Sequence, residues 1–178
     1  MHDMDGDGHL DIVYVNGDNF DYSRILKPYH GVHILRNDGK NSFEQRYFFP
    51  IYGAAVAAVA DFDGDGRPDM LTTSNFPDEA GHPERGIMYF ENEGSFSFRP
   101  HAFTISASNQ WNRIALADLN HDGRPDAVIG AMSLASIVLH QLGRAAAPTV
   151  HRDPVLYFEN RIPRDARRAS RGRARGSP

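Results

Sequence analysis

Asp61 to Asp69 reads D-F-D-G-D-G-R-P-D and puts carboxylates at the first, third, fifth and ninth positions of a nine-residue loop, on Asp61, Asp63, Asp65 and Asp69. Oxygen is what a hard divalent cation such as Ca²⁺ takes, and the early spacing suits such an ion. The backbone carbonyl of Arg67, at the seventh position, can add a fifth protein oxygen. Gly64 and Gly66 let the chain turn tightly. So many carboxylates in so short a loop repel one another, and a compact loop of this composition is poorly stable until a cation sits among them. For one isolated copy, a solvated acidic turn is the competing reading.

The copy is not isolated. Asp3 to Asp11 reads D-M-D-G-D-G-H-L-D, with candidate ligands Asp3, Asp5, Asp7, the His9 carbonyl and Asp11. Asp118 to Asp126 reads D-L-N-H-D-G-R-P-D, with Asp118, Asn120, Asp122, the Arg124 carbonyl and Asp126. The three starts lie 58 and 57 residues apart, a near-constant period that marks a repeat architecture. The third copy exchanges an aspartate for Asn120, keeping an oxygen but losing a charge, and has His121 where the second has Gly64. An EF-hand shares the early spacing but needs a bidentate carboxylate at its twelfth position, where this chain has Tyr14, Thr72 and Ile129. It also needs flanking helices, whereas Ile12 to Val15 and Ala127 to Ile129 read as strands.

These loops, their period and the strands after them resemble the FG-GAP/VCBS repeat proteins, whose calcium-loop β-propeller is also the fold of the integrin α-subunit head. The resemblance covers residues 1 to 160. It implies structural calcium and an extracellular, periplasmic or cell-surface setting for the full-length protein. It does not choose among adhesion modules, glycan-binding domains and accessory parts of secreted enzymes, since fold alone does not fix function.

The elements that must carry the loops are short strands. Four strands per unit make a propeller blade, and the expected fold is all-β: about three four-stranded antiparallel blades of a partial propeller, open and truncated at both ends. Repeat one spans 1–50, repeat two 51–104 and repeat three 105–160, followed by an Arg-rich disordered tail, 161–178. The strands expected are Asp11 to Val15, Val32 to Arg36, Phe43 to Phe49, Asp69 to Thr73, Gly86 to Asn92, Phe96 to Phe103, Trp111 to Ala117, Asp126 to Ala131 and Val155 to Asn160. Asn37 to Lys40 and Asn92-Glu93-Gly94 are the expected hairpin turns. Ala54 to Ala60 favours helix by propensity, but the aligned segment Trp111 to Ala117 alternates like a strand, and equivalent segments share one conformation. Small side chains there suit an innermost strand near a propeller axis.

Composition narrows the function classes. Propellers use about 4 to 8 blades, more than 178 residues supply at this period. Cysteine is absent, so there is no disulfide framework and no thiolate metal site. The formal charge of −4 divides into −10 before Arg161 and a tail with seven Arg and one Asp. No apolar run is long enough for a membrane span, and no secretory signal precedes the first loop. No nucleophile elbow or phosphate loop occurs, and the clustered carboxylates are accounted for by the loops, so no catalytic residue is assigned. The arginines of the tail could meet nucleic acid through charge alone, without specificity; a solvated tail is the preferred reading.

The long connections Asn16 to Gly31, Ser74 to Arg85 and Met132 to Pro154 leave the blades at the end opposite the acidic loops. Asp18, Tyr22, Lys27, Tyr29, His30, His82, Arg85, Trp111 and Arg113 lie in or near that face, which reads either as a binding surface or as variable loops. His30 and His33 read as ordinary surface or loop residues. The reading is a calcium-binding module for a protein or glycan partner, with further blades or self-association covering its open faces. The rival is a fragment of a secreted propeller enzyme such as a polysaccharide lyase.

Overall fold

The computed structural model describes residues 1–17, 27–76, 78, 81–103, 110–132 and 155–163. Within them ten strands form three antiparallel sheets. The first holds β1 (Ile12–Asn16), β2 (Gly31–Asn37) and β3 (Phe43–Pro50). The second is a complete up-and-down blade of β4 (Ala54–Ala60), β5 (Asp69–Ser74), β6 (Ile87–Gly94) and β7 (Ser97–Ala102). The third holds β8 (Gln110–Ala117), β9 (Asp126–Met132) and β10 (Val155–Phe158). The series is all-β and open, as expected of partial propeller blades; one short 3-10 turn, Pro83–Gly86, precedes β6.

Two cores hold the blades side by side. Val32 and Ile34 of the first sheet meet Met70, Met88, Phe90 and Phe98 of the second. Leu71, Ile87 and Tyr89 point the other way and meet Trp111, Ala127 and Ile129 of the third. Successive residues of β5 and β6 thus enter opposite cores, which is why these strands are apolar on both faces. Ala54–Ala60 is a strand, against its helical propensity. It pairs with β5 and lies against both β1 and β8, where larger side chains would hold the sheets apart.

Three expectations change. The second blade's hairpin turns at Ser95 and Phe96, not at Asn92 to Gly94, and both non-glycine residues take positive φ, 53° and 59°. His30 and His33 are buried, not surface residues. His33 stacks on Tyr14 at 4.5 Å and meets Phe48 at 4.6 Å, one aromatic layer running across β1, β2 and β3 in register. Trp111 is 1 % exposed and fills the second core, so it does not belong to an open binding face. Asp18, Tyr22, most of the third long connection and the tail beyond Pro163 lie outside the described residues. Ile162 packs against the second core.

No helix among the described residues is long and apolar enough to cross a membrane.

Candidate metal centres

Each acidic loop sits at a strand entry: the first runs into β1, the second joins β4 to β5, and the third joins β8 to β9. The loops fold because their own backbone N–H groups converge on their own carboxylates. In the second, Asp61 Oδ1 accepts from Gly64 N at 2.7 Å and Asp65 N at 3.1 Å, and its Oδ2 from Gly66 N at 2.9 Å. Asp63 Oδ1 accepts from Asp65 N at 3.0 Å, and Asp65 Oδ1 from Arg67 N at 2.9 Å. The first loop repeats this lattice. Asp3 takes Gly6 N, Asp7 N and Gly8 N, Asp5 takes Asp7 N, and Asp7 takes His9 N.

In the third loop Asp118 takes Asp122 N and Gly123 N, Asn120 Oδ1 takes Asp122 N, and Asp122 takes Arg124 N. The fourth position must adopt positive φ for this winding. Gly6 and Gly64 do so at 78° and 76°, and His121 is forced to 61°, where a side chain is strained.

The winding brings the first, third and fifth positions together. One carboxylate oxygen from each of Asp3, Asp5 and Asp7 lies within 4.8 Å of the others, and the same holds for Asp61, Asp63 and Asp65. A carboxylate accepts about four hydrogen bonds. The backbone takes three of those places on Asp61 and one on Asp63, so both retain capacity for a cation. An all-oxygen, carboxylate-rich donor set of this size fits calcium. Burial pushes the Asp63 carboxyl above its usual range, and the neighbouring carboxylates of Asp65, Asp61 and Glu91 push the same way. Unlike the first two loops, the third places Asn120 Nδ2 3.2 Å from Asp122 Oδ2 and so brings a donor into the set.

The ninth-position carboxylates behave differently. Asp11, Asp69 and Asp126 are buried beneath their loops, and Asp11 and Asp69 lie outside the two clusters of first-, third- and fifth-position carboxylates. Asp69 accepts from Phe62 N at 3.1 Å, Tyr89 Oη at 2.9 Å and Asn92 N at 2.8 Å. Asp126 accepts from Leu119 N, Tyr157 Oη and Asn160 N, and Asp11 from Met4 N and Asn37 N. Each ties its loop to the strand, or the residues just after it, that pairs with the strand the loop enters: β2 beside β1, β6 beside β5 and β10 beside β9. Burial raises Asp69 to about 6.

Sequence reasoning missed the asparagines. Asn92 Nδ2 donates to the carbonyls of Pro68 at 2.9 Å and of Met4, in the neighbouring repeat's loop, at 3.1 Å. Asn160 Nδ2 donates likewise to Phe62 O at 2.8 Å. Both link one blade to the second position of the preceding blade's loop. The signal was present in the matched runs Tyr89-Phe90-Glu91-Asn92 and Tyr157-Phe158-Glu159-Asn160.

Blades with an acidic loop between strands define a propeller-type repeat protein. The chain belongs to the FG-GAP-like repeat family, whose model matches residues 3–72 and 80–129. It is 26 % identical over 115 residues to integrin alpha-V of Gallus gallus, an alignment covering 57 % of this chain and 10 % of that protein. The chain therefore spans about a tenth of the curated relative's length. No solved structure matches it.

Proposed function

We propose that this chain is a calcium-stabilised interaction module, with calcium structural and no bond broken. The observation that carries the reading is the convergence of Asp61, Asp63 and Asp65 oxygens, repeated by Asp3, Asp5 and Asp7. The ligands are those three with the Arg67 carbonyl in loop two, and their counterparts in loop three, while Asp69 and Asp126 brace the loops from beneath. Loop three, with Asp118, Asn120 and Asp122, binds more weakly than loop two because one charge is missing. The repeats 1–50, 51–104 and 105–160 act as one scaffold, with 161–178 an appendage. The partner is a protein or a glycan, met outside the cell, in a periplasm or at the cell surface, where calcium is abundant enough for sites of this type.

Isothermal titration with calcium tests the metal. The expected result is saturable binding that Asp65→Ala weakens most, and the absence of binding by the unaltered chain would remove the proposal. A glycan array and a cleavage assay on the longest available form test the module reading, which polysaccharide cleavage would contradict.

A further inference from the structure

The repeats differ at the rim of the acidic loop. In repeats two and three the loop's seventh residue is basic, Arg67 and Arg124, and the residue before the interblade asparagine is acidic, Glu91 and Glu159. Repeat one departs at both places: His9 replaces the arginine at the seventh position, and the residue before Asn37 has the opposite charge, Arg36. Arg36 leaves the end of β2 and enters the loop. Its Nε donates to Asp5 Oδ2 at 2.9 Å and its Nη2 to Asp7 Oδ2 at 2.7 Å. One planar cation therefore bridges the third and fifth positions, two of the three carboxylates that converge. Arg67 and Arg124 instead reach the fifth-position carboxylate, Asp65 or Asp122, and Arg67 Nε is held at 2.7 Å by the Asn92 carbonyl.

We propose that Arg36 is a built-in counter-cation for loop one, making it the calcium-independent member of the three loops. A guanidinium stays charged at every relevant pH, so acid or base does not release it. A calcium ion entering loop one competes for the same oxygens and meets a like charge beside them. In the hydrogen bonds of the described residues Arg67 and Arg124 each reach only the fifth position, so in loop two the third-position carboxylate of Asp63 is left for a metal to compensate, and in loop three that position is the neutral Asn120. Glu91 and Glu159 stand where repeat one has Arg36 and bring no positive charge to the rim; they pair with Arg99 at 3.6 Å and Arg161 at 2.6 Å. The proposal rests on the calcium reading of loops two and three.

The test is calcium titration of the full chain by calorimetry, counting sites. Asp7→Asn in otherwise unaltered protein leaves the number of tight sites unchanged, while Asp65→Asn removes one. Arg36→Glu, which copies repeats two and three, strengthens calcium binding at loop one by about ten-fold or more, and adding Asp7→Asn abolishes the gain. Arg36→Gln gives a smaller gain and serves if the glutamate variant does not fold. The proposal is overturned if Asp7→Asn costs a site as tight as the one lost in Asp65→Asn. It is equally overturned if the folded Arg36 variants gain nothing while Asp65→Asn still loses a site, a result that leaves the calcium reading standing. Absence of calcium binding in every protein overturns both.

Discussion

Asn92→Ala measures what holds one blade to the next. The side chain is fully buried and makes three hydrogen bonds, donating to Met4 O at 3.1 Å and Pro68 O at 2.9 Å and accepting from Gly94 N at 2.9 Å. Alanine leaves two carbonyls and one N–H without that partner. Each buried group so stranded costs about 1–3 kcal/mol; the bonds to Pro68 O and Gly94 N are only part-buried and fall at the low end of that range, so the variant should lose about 3–6 kcal/mol, a large share of the roughly 5–15 kcal/mol that holds a domain together. The other repeats supply internal controls. Asn160→Ala loses Phe62 O at 2.8 Å and Ile162 N at 3.0 Å, for about 2–4 kcal/mol. Asn37→Ala loses Leu10 O at 3.2 Å and Gly39 N at 3.0 Å, both in exposed surroundings where water replaces them, for about 1 kcal/mol or less. Urea denaturation followed by circular dichroism, at fixed calcium, gives the three values. Asn92→Asp keeps the acceptor but aims a carboxylate at two carbonyls, so it should be no better than alanine. Equal losses at all three positions, or a loss under about 1 kcal/mol at Asn92, would show that the apolar cores alone join the blades.

Two further outcomes follow from the loops. Asp69, raised to about 6 in the fold from an ordinary 3.8, binds its proton more tightly folded than unfolded. In chelator, its contribution to stability should therefore rise as pH falls from 7 through 6 towards 4, by up to about 3 kcal/mol. Calcium, by favouring the carboxylate, should flatten that rise, and denaturation midpoints at successive pH values with and without the ion check both. His121→Gly should stabilise the chain by about 1 kcal/mol, because His121 holds a φ of 61° where the other loops use glycine. A lower midpoint for that variant would mean that the imidazole makes a compensating contact.

The loops and strands were legible because their signals are local. Carboxylate spacing and the 58- and 57-residue period located the candidate sites, and alignment of equivalent repeats corrected the helical propensity of Ala54–Ala60. What was not legible depends on pairing between distant segments. The burial of His33 follows from its register between Tyr14 and Phe48, which no residue near it in sequence announces. The turn at Ser95 and Phe96 uses positive φ at two residues that ordinarily avoid it, so Asn92 to Gly94 was the stronger local signal. Asn92 is instead spent on a carbonyl 88 residues away. Arg36, unremarkable within its strand, acquires its role only when β2 is laid beside the first loop.

Thermal melting of the full chain in excess calcium and in excess chelator tests the central claim most directly. With free calcium about 100-fold above its dissociation constant, one site that binds only the folded state adds about 2.7 kcal/mol, which for a chain of this size corresponds to a rise of about 5–10 °C in Tm. Asp65→Ala should remove most of that rise. Identical melting in the two conditions would show that the three loops are acidic turns held by their own backbone, and that calcium has no part in this fold.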